Sequence, residues 1–178
     1  MRIRPVRILL FAVIGSVFLF SSAIVLKHHF EMRAGATHAE EVTQMVVTPV
    51  PEVFDDELAE QTPTESVTIP IQVDFDALFA KSQDIIGWLY CPDTPINYPV
   101  VQAADNEYYL HRLLDDRNNS GGTLFVDYRN SSDLSDWNSI IYGHNMRNDS
   151  MFGSLTDYKS QSYFDAHPEI FLLTPERN

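Results

Sequence analysis

Few residues in this chain can do chemistry. His144 follows the apolar β-type segment Ile140, Ile141, Tyr142 through Gly143, and it opens a polar loop, Asn145 to Ser150. A histidine just past a buried strand sits on a rigid scaffold with its ring toward a cleft, a good posting for proton transfer. Two roles fit it: proton transfer, or a plain loop or packing residue. Cys91 is the single cysteine, between Tyr90 and Pro92 at a strand end. One cysteine excludes an intrachain disulfide and a cysteine zinc cluster, and in this setting it reads as a small buried hydrophobe rather than a nucleophile. His111, His144 and His167, with Asp127 or Asp165, are metal-ligand types, but none stand at a recognised ligand spacing. No metal and no cofactor is expected.

The elements that must hold these residues begin near Val73. Phe75, Leu78 and Phe79 recur at helical spacing behind Asp74 and Asp76, which predicts a short amphipathic helix over Asp74 to Ser82. Ile85 to Tyr90 is a β-type run, Pro92 to Pro95 a turn, and Ile96 to Val101 a second run that pairs with the first. Asn106 to Leu114 reads as helical, and Asp115 to Gly122 as a loop feeding a strand from Thr123 to Tyr128. The polar loop Ser131 to Asp136 leads into the histidine strand. Met151 to Tyr158 reads as a short helix, Tyr163-Phe164 and His167-Pro168 as a connector, and Glu169 to Thr174 as a further strand. The fold class is mainly β with short helices.

The N-terminal part has a different character. Ile8 to Leu26 carries no charge and is long enough to cross a hydrocarbon core at ~1.5 Å per residue. Arg2, Arg4 and Arg7 precede it, which predicts a cytoplasmic N-terminus and an extracellular remainder after Lys27. A cleaved signal peptide competes with this uncleaved anchor, since small residues stand at Ala34, Ala36 and Ala39, although the apolar run exceeds a usual signal core. From Met32 to Pro70 the chain is rich in Glu, Thr, Val and Pro, and it reads as a disordered stalk that cannot continue a helix, with a coil reach on the order of 35 Å. The layout is thus 1–7 cytoplasmic tail, 8–26 anchor, 27–72 acidic linker and 73–178 folded part. The formal net charge of −13 argues against nucleic acid as a partner, because phosphate neutralisation needs clustered Lys and Arg. Attachment to anionic lipid is therefore hydrophobic rather than electrostatic.

Ordered blocks of text carry a resemblance: DIIGWLYCPDTPINYPVVQ (Asp84 to Gln102), DNEYYLHRLL (Asp105 to Leu114), GGTLFVDYRN (Gly121 to Asn130) and IIYGHNMRNDSMFGSL (Ile140 to Leu155). Together they resemble class B sortases, the membrane-anchored cysteine transpeptidases of Gram-positive bacteria. The resemblance covers nearly all of Val73 to Asn178 and implies a sortase-type β-barrel. It implies His144 as proton donor and acceptor, and Asn106, Leu110 and Tyr142 as substrate-groove positions. As alternatives, Leu110 and Tyr142 serve as core and Asn106 as a helix cap.

The family's nucleophile lies in a TLSTC-like strand end beyond the histidine, with an arginine further on. Neither stands in this chain, so the expected barrel is incomplete. Cys91 does not match that block, and Arg129 and Arg147 do not match the arginine's position. The implied reaction cleaves a C-terminal sorting signal through a cysteine thioester. It then joins a secreted protein or pilin to a peptidoglycan-precursor or pilin-lysine amine at the cell surface. The alternative is a catalytically inactive, membrane-tethered fragment that at most binds peptide.

Overall fold

A computed structural model of the chain describes residues 5–50 and 69–175. Its first element, α1 (Pro5–Val46), is one unbroken helix of 42 residues. The stretch from Leu9 to Leu26 leaves its large apolar side chains bare, with Phe11, Leu19 and Phe20 each 70% exposed, and the helix is long and apolar enough to cross a membrane.

The second half of α1 corrects the expected linker. Residues 27–46 continue the helix instead of forming a disordered stalk, and β1 (Val47–Pro49) follows directly. The prolines that stop a helix begin only at Pro49, while 27–46 holds Ala34, Ala36 and Ala39 and no proline. Its burial comes from tertiary packing: Val42 and Val46, one turn apart, enter a core cluster with Leu78, Trp88, Tyr109 and Leu114. Asn119 Nδ2 donates to the Glu31 carbonyl at 2.6 Å, and Thr43 Oγ1 reaches the Asn97 carbonyl at 3.4 Å. At the helix end the Val46 carbonyl accepts from Asp74 N at 2.8 Å, satisfying one of the C-terminal orphan groups. The expected linker segment 51–68, tail residues 1–4 and the final residues 176–178 lie outside the described residues.

β1 pairs antiparallel with β2 (Ile71–Val73), Val47 opposite Val73. Asp74 then caps α2 (Phe75–Phe79), its Oδ1 accepting from Ala77 N at 2.9 Å. The main sheet holds β3 (Ile85–Tyr90), β4 (Asn97–Val101), β5 (Leu124–Val126), β6 (Ile141–Tyr142) and β7 (Phe171–Leu173), in the order β6-β5-β4-β3-β7. β3 and β4 form the expected antiparallel hairpin, β4 and β5 run parallel, and β5–β6 and β3–β7 are antiparallel.

Both faces of this sheet are covered, so β3 reads as a continuous apolar run rather than an alternating one, and β4 is buried from Pro99 to Val101. Ile85, Trp88, Val101 and Phe125 pack on the α1 side, and Ile86, Leu89, Cys91, Val100, Leu124 and Val126 on the other. The sheet is open, with β6 and β7 as its edges, and no barrel closes among the described residues. Two short elements differ from expectation. Asn106 to Leu114 contains only a 3₁₀ turn at Tyr109–His111, because Asp105 Oδ1 accepts from both Glu107 N and Tyr108 N and fixes a turn that a helix cannot extend. The expected connector at Tyr163-Phe164 is instead α3 (Gln161–Ala166), preceded by a 3₁₀ helix at Gly153–Lys159.

Candidate active site around His144

The site is assembled where β6 ends beside the Tyr109–His111 turn. Gly143 lets the backbone pass close to the core: a Cβ there would collide with the Leu124 side chain and the Phe152 ring. His144 follows at once, half-buried. Its Nε2 lies 2.8 Å from the Leu110 carbonyl, and since a carbonyl only accepts, that nitrogen carries the proton. Nδ1 is then the ring atom that can exchange a proton with a reacting group. The His111 ring stacks on His144 at 5.4 Å between centroids and 29° between planes.

The turn bearing Leu110 is itself pinned. Thr123 N donates to the Tyr109 carbonyl at 3.1 Å and Asn119 N to the His111 carbonyl at 3.0 Å. Gly122, at φ +58°, makes this possible, because a side chain there would strike the Tyr109 and Leu110 carbonyls. On the other side of the histidine, Phe152 N donates to the His144 carbonyl at 3.0 Å, and Asn145 bridges to Met151.

Asn106 and Tyr142 meet at a residue that sequence reasoning did not place here. Asp127, 1% exposed at the end of β5, accepts at Oδ2 from Asn106 Nδ2 (3.1 Å), Tyr142 Oη (3.0 Å) and Arg129 Nη2 (2.8 Å). Its Oδ1 accepts from Arg129 Nε at 2.8 Å and from Arg129 N at 2.9 Å. The Arg129 guanidinium, with help from its own backbone amide, Asn106 and Tyr142, holds the Asp127 carboxyl far below the usual carboxylate range. The same hydrogen bond pushes the Tyr142 phenol up. The signal in the sequence is the carboxylate that closes the apolar run LFV with an arginine two residues on.

His144, Leu110, Asn106 and Tyr142 thus share one neighbourhood, while Cys91 has other partners. Its Sγ is 3.3 Å from Tyr158 Oη and 3.4 Å from the Glu169 carbonyl, and the residue is fully buried. Burial, followed by that thiol, pushes the Tyr158 phenol up. Arg129 is committed to Asp127. Among the described residues no three His, Cys, Asp or Glu side chains gather as a metal group. His167 Nδ1 faces the Pro92 carbonyl at 3.2 Å and Asp165 accepts from Gln161 at 2.8 Å.

No family model matches the chain. Individual proteins do. Sortase B of Listeria monocytogenes is 40% identical over 105 residues, covering 59% of this chain and 43% of that protein. Sortase B of Staphylococcus aureus is 34% identical over 100 residues, 56% of this chain and 41% of that protein. The chain therefore spans less than half the length of these curated relatives. Among solved structures, sortase B from Bacillus anthracis in complex with AAEK1 superposes with a TM-score of 0.65 at 31% identity, over 82% of this chain and 63% of that one. A Staphylococcus aureus sortase B–substrate complex gives a TM-score of 0.53 at 34% identity, over 56% of this chain and 46% of that one.

Proposed function

From the premise that this chain is a homologue of class B sortases, we propose that it contributes the proton-transfer histidine and part of the substrate groove of a sorting-signal transpeptidase. In such a reaction a cysteine thiolate attacks the scissile carbonyl, and the amine leaves with a proton. The acyl group stays as a thioester until a second amine displaces the thiol. His144 gives the proton to the departing amine through Nδ1 and takes one from the incoming amine. The observation that carries this reading is the Leu110 carbonyl on Nε2, which fixes the ring and leaves Nδ1 for the reaction. Asn106, Leu110 and Tyr142 line the groove beside it.

The substrates are secreted or pilin proteins with a C-terminal sorting motif, and the acceptor is a cell-wall or pilin amine. In this reading residues 8–26 span the membrane, 1–7 are cytoplasmic and 73–178 work outside the cell. The test is peptide cleavage by membranes of the producing cell. His144→Ala lowers the rate by about 100-fold to 10,000-fold, the usual worth of a positioned acid–base. An unchanged rate refutes the assignment.

A second reading applies to these 178 residues alone. Their one cysteine is buried on Tyr158 and Glu169 and not on His144, which favours a chain that binds peptide without turning it over. A sorting-signal peptide trapped as a thioester on Cys91 would overturn it.

A further inference from the structure

We propose that Asp127 is the positioning residue for His144, acting through Asn106 and Tyr142; the proposal deepens the reading of His144 as the proton-transfer residue and rests on it. The geometry is a closed circuit. One arm runs from Asp127 Oδ2 to Asn106 Nδ2 and along four residues of backbone to the Leu110 carbonyl. The other runs from Asp127 Oδ2 to Tyr142 Oη and along two residues to His144. The His144–Leu110 hydrogen bond closes the circuit. Any relative slip of β6 and the 106–111 segment must therefore break either that bond or the contacts to Asp127.

The rest of the network keeps Asp127 stationary. Tyr128 N donates to Asn106 Oδ1 at 3.0 Å, so Asn106 is held at both ends of its amide. Gln102 Nε2 donates to the Asp127 carbonyl at 3.0 Å and to the Asn130 carbonyl at 2.7 Å, which ties the backbone to the β4 end. Phe125, opposite Tyr142 in the β5–β6 register, packs its ring at 5.2 Å from the Tyr142 ring. A buried carboxylate with donors on both oxygens has one stable arrangement, and that uniqueness is what orients the histidine. An asparagine cannot substitute: its NH₂ would face Arg129, Asn106 or Tyr142, which are donors in this arrangement.

The test reads the ring proton of His144 by NMR on the full chain in detergent micelles, with ¹⁵N-labelled histidine and His144→Gln for assignment. In the wild type the Nε2–H signal is observed and exchanges slowly with water. Asp127→Asn speeds that exchange at least tenfold, and Tyr142→Phe, which removes one hydroxyl and keeps the charge, at least threefold. Asp136→Asn is the comparison for a merely structural loss. Asp136 ties Ser131 N at 2.7 Å and Asn130 Nδ2 at 2.8 Å in the next loop, so this variant lowers the melting temperature and leaves the ring proton unchanged.

An unchanged ring proton in Asp127→Asn and Tyr142→Phe overturns the proposal, as does a wild type without the signal. Should Asp127→Asn fail to fold, Tyr142→Phe alone decides by the same threefold criterion. The ring signal is read without substrate, so a failed peptide-cleavage test refutes the transpeptidase reading and leaves this result standing.

Discussion

Truncating the buried face of α1 should release its second half from the sheet. Val42 is 3% exposed and Val46 2%, and both lie in the cluster with Trp88 and Leu114. Each Val→Ala change deletes two methyl groups, about 1.5 kcal/mol by transfer and near 2 kcal/mol with the residual cavity. The two sites are one turn apart and share neighbours, so they couple, and the pair is worth about 3 kcal/mol. At about 1.4 kcal/mol per factor of ten, amides of 28–46 should exchange roughly 100-fold faster in Val42→Ala/Val46→Ala than in the wild type. Hydrogen-exchange mass spectrometry on the full chain measures this peptide by peptide. Unprotected amides across 28–46 in the wild type, or equal protection in the double variant, would show that the segment is the unfolded stalk its composition predicts.

Three further outcomes follow from the structure. Asp127, Asp115 and Asp136 all have carboxyls held below their ordinary values. A depressed folded value contributes stability that is present above the unfolded value, about 4, and is lost as pH falls toward the folded one. The melting temperature should therefore drop steadily from about pH 5 downward, and a rise on acidification would contradict the carboxylate network. Cys91, fully buried, should resist iodoacetamide in the native fold and react fully in denaturant; rapid native labelling would remove it from the core. Gly143→Ala should cost about 1–3 kcal/mol by overpacking against Leu124 and Phe152, seen as a lower denaturation midpoint, whereas a neutral change would mean that β6 shifts freely.

The β3–β4 hairpin was legible because two short β-type runs, Ile85 to Tyr90 and Ile96 to Val101, flank the proline turn Pro92 to Pro95, and their length suits strands rather than helices. Asp74 as the start of α2 was legible from its position before Phe75 and Leu78. The helical part of 27–46 was not, because pooling it with the proline-rich segment beyond Pro49 hid a proline-free stretch whose two core valines need the sheet to bury them. The 106–114 segment misled through its Tyr and Leu spacing, which local bonding by the Asp105 side chain overrides. His144 was visible as a strand-end residue. Asp127 was not placed in the site, since its partners lie 21 and 15 residues away: Asn106 meets it through the parallel crossover from β4 to β5, and Tyr142 through the antiparallel pairing of β5 with β6.

The unbroken course of α1 from Leu26 to Val46 gives the chain a mechanical property. With the apolar half seated in a bilayer, the packed half is a lever about 30 Å long that has no hinge at the membrane surface. A tilt of ~20°, ordinary for a single spanning helix, would sweep the far end by about 10 Å. In that setting bilayer thickness would set the height and heading of the packed half of α1 and of the sheet it covers, and two membranes of different thickness would present His144 differently.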